Sequence, residues 1–358
     1  MKKLVSLLVA FVMLIGLLGC QSSAPAPAPA PASSSSGTSA SATSAQTYTI
    51  RYCSDNNPGS FEDKAVHAFK DAIEEKSDGA ITVEVYTSGQ LGEGTNLAEL
   101  VQMGGTDMLF ISTSNVASII PELGIFDIPF LQPGSQAEAY KVLHNGKMFD
   151  YIYDMYAEKG ITLLDIVPLG IPAWTGNKLF KAPNDFTGFK MRIMASPLLQ
   201  AQYDSYGANP VNVAYSELYS ALQLGIADGQ CNSAYVSYNN KFYEVQSCIT
   251  LPNSSISCTS VAANPAWWGS LPTDIQDLIR ECVGIQAQFH FENYSANDKI
   301  AVDTFKGAGC EVYVLTEEER EVFRQVSMPV RDTYVKIVGT KGQVMLDLYA
   351  EDYKAVMG

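Results

Sequence analysis

YSELYSALQLGIADGQCN, residues 215–232, is the stretch on which the reading of the chain turns. Ser216 reads as a helix N-cap, Leu218, Ala221 and Leu222 recur at helical spacing, and Gly225 suits the left-handed position that ends a helix. Asp228-Gly229 makes a second turn, which aims Asn232 out of the segment that follows. Just upstream, GFKMRIM (188–194) alternates with period two, so a strand there places Arg192 on one face and Met191 and Ile193 on the other. A guanidinium on a rigid strand offers two parallel N–H donors to a carboxylate, a geometry that lysine cannot match. The competing reading of Arg192 is an edge-strand residue paired with a surface acid.

Working outward toward the N-terminus, Tyr48 to Ser54 alternates as a strand. Ser60-Phe61-Glu62-Asp63 opens a helix with Ala65, Phe69, Ala72 and Ile73 on one face, ending near Gly79. Ile81, Val83 and Val85 form a strand, Gly92 to Met103 a helix, and Met108 to Ile111 a short apolar strand exposing Ser112 at its end. This βαβαβ rhythm implies parallel strands with helices on their faces. Ligands of such open sheets sit beyond the carboxyl ends of the strands. Asp55, just after the first strand, and Ser112, just after the third, are therefore candidate pocket residues. The alternatives are that Asp55 belongs to a turn with Asn56, Asn57 and Pro58, and that Ser112 caps a helix.

Gln136 to Lys159 reads as helical and Ile161 to Val167 as a strand. Gly170 to Leu179 then crosses toward the Arg192 strand, where a first hinge is expected, with Trp174 as a pocket wall or a core residue. Around Leu251 to Ser260, within CITLPNSSISCTSVAAN (248–264), the chain alternates and reads as a return strand to the first lobe. Thr273 with Gln276 makes a capping box for a long helix Asp274 to Phe305, and Thr316 with Glu319 caps a later one.

The beginning of the chain is of another kind. Met1-Lys2-Lys3 followed by the apolar run Leu4 to Leu18 has the basic and apolar regions of a secretory signal, too short and too early for a membrane span. Gln21 to Gln46 is Ala-Pro repeats and then small polar residues, without the aromatic or branched aliphatic side chains of a core, and reads as a tether. From Thr47 to Gly358 the chain is longer than one core usually covers and fits two lobes. The formal charge is −15. Loss of the two leader lysines would make it −17, which argues against nucleic acid or anionic lipid as partner and leaves an anionic ligand to be held by local contacts.

Catalytic apparatus is not apparent. His67, His144 and His290 are the only histidines, and none lies in a metal-binding or nucleophile motif. Gly92-Glu93-Gly94 lacks the third glycine of a dinucleotide fingerprint. No cofactor and no metal is expected. Besides Cys20 there are six cysteines without zinc-type spacing, read as mostly free thiols.

FKMRIM (189–194), AYSELYSALQLGIADGQCN (214–232) and NNKFYEVQSCITL (239–251) together resemble the solute-binding proteins of TRAP transporters, a family that captures organic acids outside the membrane for a secondary transporter. Weaker similarity runs from YTIRY at 48 through YTSGQLGEG at 86 and GTDMLFIS at 105 to WWGSLPTDIQ at 267. The resemblance implies a two-lobed α/β fold of the periplasmic-binding-protein kind, with a hinge and a long helix spanning both lobes. It also implies closure around the ligand and partnership with small and large membrane permease subunits. On this reading 47–169 plus 258–297 form one lobe and 170–257 plus 298–358 the other. Leu17-Leu18-Gly19-Cys20 resembles the bacterial lipobox, so residues 1–19 would be a lipoprotein signal, Cys20 the lipidated N-terminus, and 20–46 the tether of an extracytoplasmic, membrane-anchored protein. The family arginine that binds the substrate carboxylate falls on Arg192, the amide that meets the substrate on Asn232, and an aromatic over the ligand on Tyr215.

Many relatives carry a second arginine where this chain has Pro172, and some sugar-acid binders have a carboxylate at the place of Ser112. One arginine neutralises one carboxylate. The expected ligand is therefore a monocarboxylate with an apolar or aromatic body, unless Lys178 supplies a second cation. Two other classes remain open: a binding protein of an ATP-driven importer or sensory receptor, and a secreted enzyme on the same fold.

Overall fold

The computed structural model describes residues 47–132 and 134–358. The leader, Cys20 and the tether lie outside the described residues. Eleven strands are described: β1 Tyr48–Ser54, β2 Ile81–Tyr86, β3 Met108–Ser112, β4 Thr162–Gly170, β5 Pro172–Gly176, β6 Met191–Ile193, β7 Val211–Asn212, β8 Gly229–Ser233, β9 Cys248–Leu251, β10 Ser257–Ala263 and β11 Glu311–Val314. They form two sheets, in the orders β2-β1-β3-β10-β4 and β11-β9-β5-β8-β6-β7.

In the first sheet β2, β1 and β3 run parallel, as the βαβαβ rhythm predicts, and β10 lies antiparallel between β3 and β4. Strands buried on both faces divide their side chains between two cores by alternation. Ile50, Tyr52, Phe110 and Val261 face the helices Phe61–Lys76 and Thr273–Gly307, whereas Cys53, Leu109, Ile111 and Ala262 face the opposite core. The helix Phe61–Lys76 begins where expected, with the Ser60 hydroxyl accepting the backbone N–H of Asp63 at 3.1 Å.

The second sheet divides in the same way. Ala173 and Ile249 pack with Leu218, Leu222 and Phe305 on one side, and Trp174, Met191 and Ile193 pack with Phe180, Phe186 and Phe323 on the other. The long helix runs Thr273–Gly307, 35 residues or about 50 Å at 1.5 Å per residue. It carries Ile279, Cys282 and Val283 in the first sheet's core and Tyr294, Ala301 and Phe305 in the second's, so one helix serves both.

Several local expectations need correction. The stretch 248–264 is not one strand: β9 belongs to the second sheet and β10 to the first, with the chain crossing between Leu251 and Ser257. The long helix starts after Pro272 without a side-chain cap, so Thr273 is its first residue and not its N-cap. Thr316 and Glu319 do form a reciprocal capping box, at 3.2 and 2.8 Å. The C-terminal helices Pro329–Val338 and Thr340–Met357 do not cover the second sheet, to which 298–358 was assigned. Val330, Tyr334, Met345 and Tyr349 lie in the first sheet's core, and Asp352 accepts the backbone N–H groups of Lys147 and Met148 at 3.0 and 2.8 Å. An amphipathic helix shows that it has a buried face but not which sheet it covers. The cysteines at 53, 231, 248, 258, 282 and 310 are free thiols.

Candidate ligand-binding site

A cavity of about 190 Å³ lies between the two sheets, lined from the first by Asp55, Glu93, Ser112 and Asn115 and from the second by Arg192, Tyr215 and Asn232. Asp55, Ser112 and Asn232 stand at or just beyond the carboxyl ends of β1, β3 and β8, as the topology of open sheets requires.

Arg192 occupies the middle of β6, in register with Gln230 of β8 and Val211 of β7. It is 3% exposed. Its Nε donates to the carbonyl of Val213 at 2.9 Å, which fixes the plane of the guanidinium while leaving the terminal nitrogens toward the cavity. Among the described residues no carboxylate oxygen lies within 4 Å of it. Burial pulls its pKa down to about 10, against the fields of Tyr215 and Asp55, so it stays charged at neutral pH. A buried cation without an ion partner is costly unless something anionic meets it.

Gln230 is buried and donates from Nε2 to the hydroxyls of Thr175 and Ser237, each at 3.0 Å. Its carbonyl is thereby free to accept from Asn232 Nδ2. The network orients Asn232 with its own Oδ1 left over as an acceptor. Gln230 thus braces the site from behind.

Asp55 accepts from Asn115 Nδ2 at 2.9 Å and, at 3.4 Å, from the backbone N–H of Gly94. Desolvation raises its pKa to about 6, with Glu93 adding to the rise and Arg192 opposing it. Tyr215 lines the cavity with its ring, while its hydroxyl accepts from Asn240 Nδ2 at 2.6 Å. Burial pushes that hydroxyl's pKa upward. Ser112 lines the cavity and also caps the short helix Thr113–Val116, accepting from Ser114 N at 3.3 Å.

The helix predicted to start at Ser216 begins otherwise: a 3₁₀ turn Tyr215–Glu217 leads into Leu218–Gln223 with no side-chain cap. Its end is as expected. Gly225 adopts φ +68° and Ile226 N reaches back to Ala221 O at 2.9 Å.

Trp174 does not wall the cavity. It pairs in register with Cys231, one residue out of phase with Gln230 and Arg192, so it points to the other face of the second sheet. There it is 1% exposed, edge-on to Phe186 and tilted over Phe323. Lys178 stays outside as well, its Nζ 5.8 and 5.4 Å from the ring centroids of Phe180 and Phe189. The sequence reading missed Glu93, Asn115, Glu62 and Tyr235, all of which line the cavity. Glu93 lay in a quoted stretch, between two glycines that free its backbone, and Asn115 is one turn beyond Ser112.

The three histidines are accounted for structurally. His290 is buried with Nε2 2.7 Å from Leu169 O, and burial lowers its pKa to about 4. His144 lies 2.6 Å from Asp165, and His67 on its helix lies 2.9 Å from Asp63 O.

Comparison with known proteins places this geometry. Residues 54–337 match the DctP model, described as bacterial extracellular solute-binding protein, family 7. The ectoine-binding periplasmic protein TeaA of Halomonas elongata is 30% identical over 309 residues, covering 86% of this chain and 90% of that protein. The C4-dicarboxylate-binding periplasmic protein DctP of Rhodobacter capsulatus is 28% identical over 302 residues, with 83% and 89% covered. The solved structure of a TRAP periplasmic solute-binding protein from Desulfovibrio salexigens with bound orotic acid superposes with a TM-score of 0.83 at 27% identity, covering 87% of this chain and all of that one. With two sheets sharing a long helix and a basic cavity residue between them, the chain belongs to the DctP family of extracellular solute-binding proteins, the binding component of TRAP-type transporters.

Proposed function

We propose that this protein captures a small organic monocarboxylate outside the cytoplasmic membrane, through a bidentate contact with Arg192, and closes around it for delivery to TRAP permease subunits. The single observation that carries the reading is Arg192 itself: buried, immobilised through Nε, and without a carboxylate partner among the described residues. Asn232 and Tyr215 complete the second sheet's side of the cavity, and Asp55 and Ser112 the first's. Arg192 is the one cationic side chain among the lining residues, and Pro172 supplies neither charge nor N–H, so a second buried carboxylate has no counterion.

The hinge is assigned to two of the three passages between the sheets, Gly170 to Pro172 and Leu251 to Ser257, the third being the long helix Thr273–Gly307 between β10 and β11. At the first, Ile171 N donates to Tyr294 OH on the shared helix at 3.0 Å. Anchoring through a lipid on Cys20 is part of the proposal, and mass analysis of the membrane-extracted protein checks it.

The similar proteins named for ectoine, C4-dicarboxylates and orotic acid set the ligand panel. In thermal-shift assays a monocarboxylate should stabilise the wild-type protein and leave Arg192→Ala unshifted. Succinate or malate stabilising it above every monocarboxylate overturns the reading.

A further inference from the structure

A second, smaller space of about 30 Å³ adjoins the Arg192 cavity. Met194, Asn232 and Ser257 line both and so stand between them. The polar lining of the smaller space comes from both sides of the molecule. Ser114 and Asp127 enter from the first sheet's side, Asp127 at the end of the 3₁₀ turn Pro121–Asp127, whose Leu123, Ile125 and Phe126 lie in that sheet's core. Tyr203 and Cys231 enter from the second sheet's side, Tyr203 on the helix Pro197–Ser205 and packed in the core around Trp174.

Two of these groups are short of partners. The Tyr203 hydroxyl is fully buried and makes no hydrogen bond among the described residues. Burial pushes its pKa upward, so it keeps its proton and can donate. Asp127 accepts from Ser114 Oγ at 2.6 Å and from Ser196 Oγ at 2.5 Å. A carboxylate has about four acceptor positions, so these two hydroxyls leave others unfilled. At pH 7.5 a carboxyl whose pKa burial raises to about 6 is mostly ionised, and its unfilled positions can only accept. A buried donor and a buried acceptor are each costly to leave unpaired. Water meets both demands: it accepts, donates twice, and needs about 10 to 15 Å³ with two to four polar partners. Cavities that stay dry are apolar, and this one includes a carboxylate.

We propose that this space is a buried hydration site for about two waters, which accept from the Tyr203 hydroxyl and donate to the Asp127 carboxylate. The site is separate from the ligand cavity and does not depend on what the ligand is. Its waters join the first sheet's side to the second's, next to the direct bond from Ser196 on the helix bearing Tyr203 to Asp127. A bridge through water is nearly as favourable as a direct hydrogen bond. Solvent is therefore part of what holds the two sides together behind Asn232.

Oxygen-17 relaxation dispersion on the full chain at pH 7.5 counts long-lived waters, and a crystal structure locates them. Tyr203→Phe removes the hydroxyl and keeps the ring, so it should lose at least one long-lived water relative to wild type. Cys231→Met adds two heavy atoms on a flexible side chain and should displace the waters altogether. Where Cys231→Met does not fold, Tyr203→Phe decides alone. The wild-type crystal should show water within hydrogen-bonding distance of both Asp127 and Tyr203. Equal dispersion in wild type and Tyr203→Phe overturns the inference. So does a crystal in which side chains close the space, or in which a metal ion or part of a bound ligand fills it. The carboxylate reading of Arg192 is tested separately and survives failure of this one.

Discussion

Asn57, in the loop after β1, donates from Nδ2 to Oδ1 of Asn240 at 2.8 Å, so the first sheet's loop is tied to the helix Ala234–Asn239 that follows β8. Asn240 in turn donates to the Tyr215 hydroxyl at 2.6 Å, which connects the contact to the wall of the cavity. If the lobes separate on ligand release, this contact must break.

Asn57→Ala should therefore favour an open form. One net hydrogen bond contributes about 1 kcal/mol, so ligand affinity should fall roughly fivefold, mainly through faster dissociation. Stopped-flow kinetics checks this, and unchanged dissociation with an unchanged scattering radius would exclude Asn57 from closure.

Arg192→Lys separates charge from geometry. Lysine keeps the positive charge and loses the parallel pair of donors and the Nε contact to Val213 O. Calorimetry should show about tenfold weaker binding, about 1.4 kcal/mol, against at least ~3 kcal/mol for Arg192→Ala. Equal losses in the two variants would mean that the bidentate contact is not made.

Trp174→Ala should destabilise the fold by about 3 to 5 kcal/mol, since a large side chain leaves a packed aromatic core. Because Trp174 faces away from Arg192, affinity at a temperature where the variant is folded should change less than twofold. Urea unfolding and calorimetry together decide it, and a large affinity loss with intact stability would return Trp174 to the site.

Asp127 gives a pH dependence. It is buried between two hydroxyls, Ser114 Oγ at 2.6 Å and Ser196 Oγ at 2.5 Å, and desolvation raises its pKa from 3.8 to about 6. A carboxyl raised in the fold contributes stability that is full below the unfolded value, near 3.8, and lost as pH climbs through about 6. Wild type should therefore lose about 1.4 kcal/mol relative to Asp127→Asn between pH 5 and pH 8. Parallel unfolding profiles for the two proteins across that range would refute the assignment.

The sequence was most legible where a residue's role depends on its near neighbours. Arg192 opposite Met191 and Ile193, the left-handed Gly225, the Ser60 cap and the Thr316–Glu319 box all follow from local periodicity or local hydrogen bonding. It was least legible where the answer depends on which sheet an element joins. The break between β9 and β10, the placing of the last two helices, and the face of Trp174 are set by pairing partners far along the chain. Glu93 and Asn115 reach the cavity through the packing of a loop and of the four-residue helix Thr113–Val116, too short to show a periodicity of its own. Arg192 needed the strand alternation to choose its face and the second sheet's register with Gln230 to confirm what that face looks onto.

The place of β10 bears on how the chain can be made. It is the central member of the trio β3-β10-β4, yet it is the last of the first sheet's strands to leave the ribosome or an export channel when the N-terminus leads. Until residue 263 has emerged, β3 presents an open edge and β4 has no neighbour in its sheet, while the whole middle of the second sheet is still being produced. Open edges recruit other chains. A stall between β4 and β10 therefore leaves a nascent chain of this design with β3 unpaired along one edge and β4 without a neighbour in its sheet.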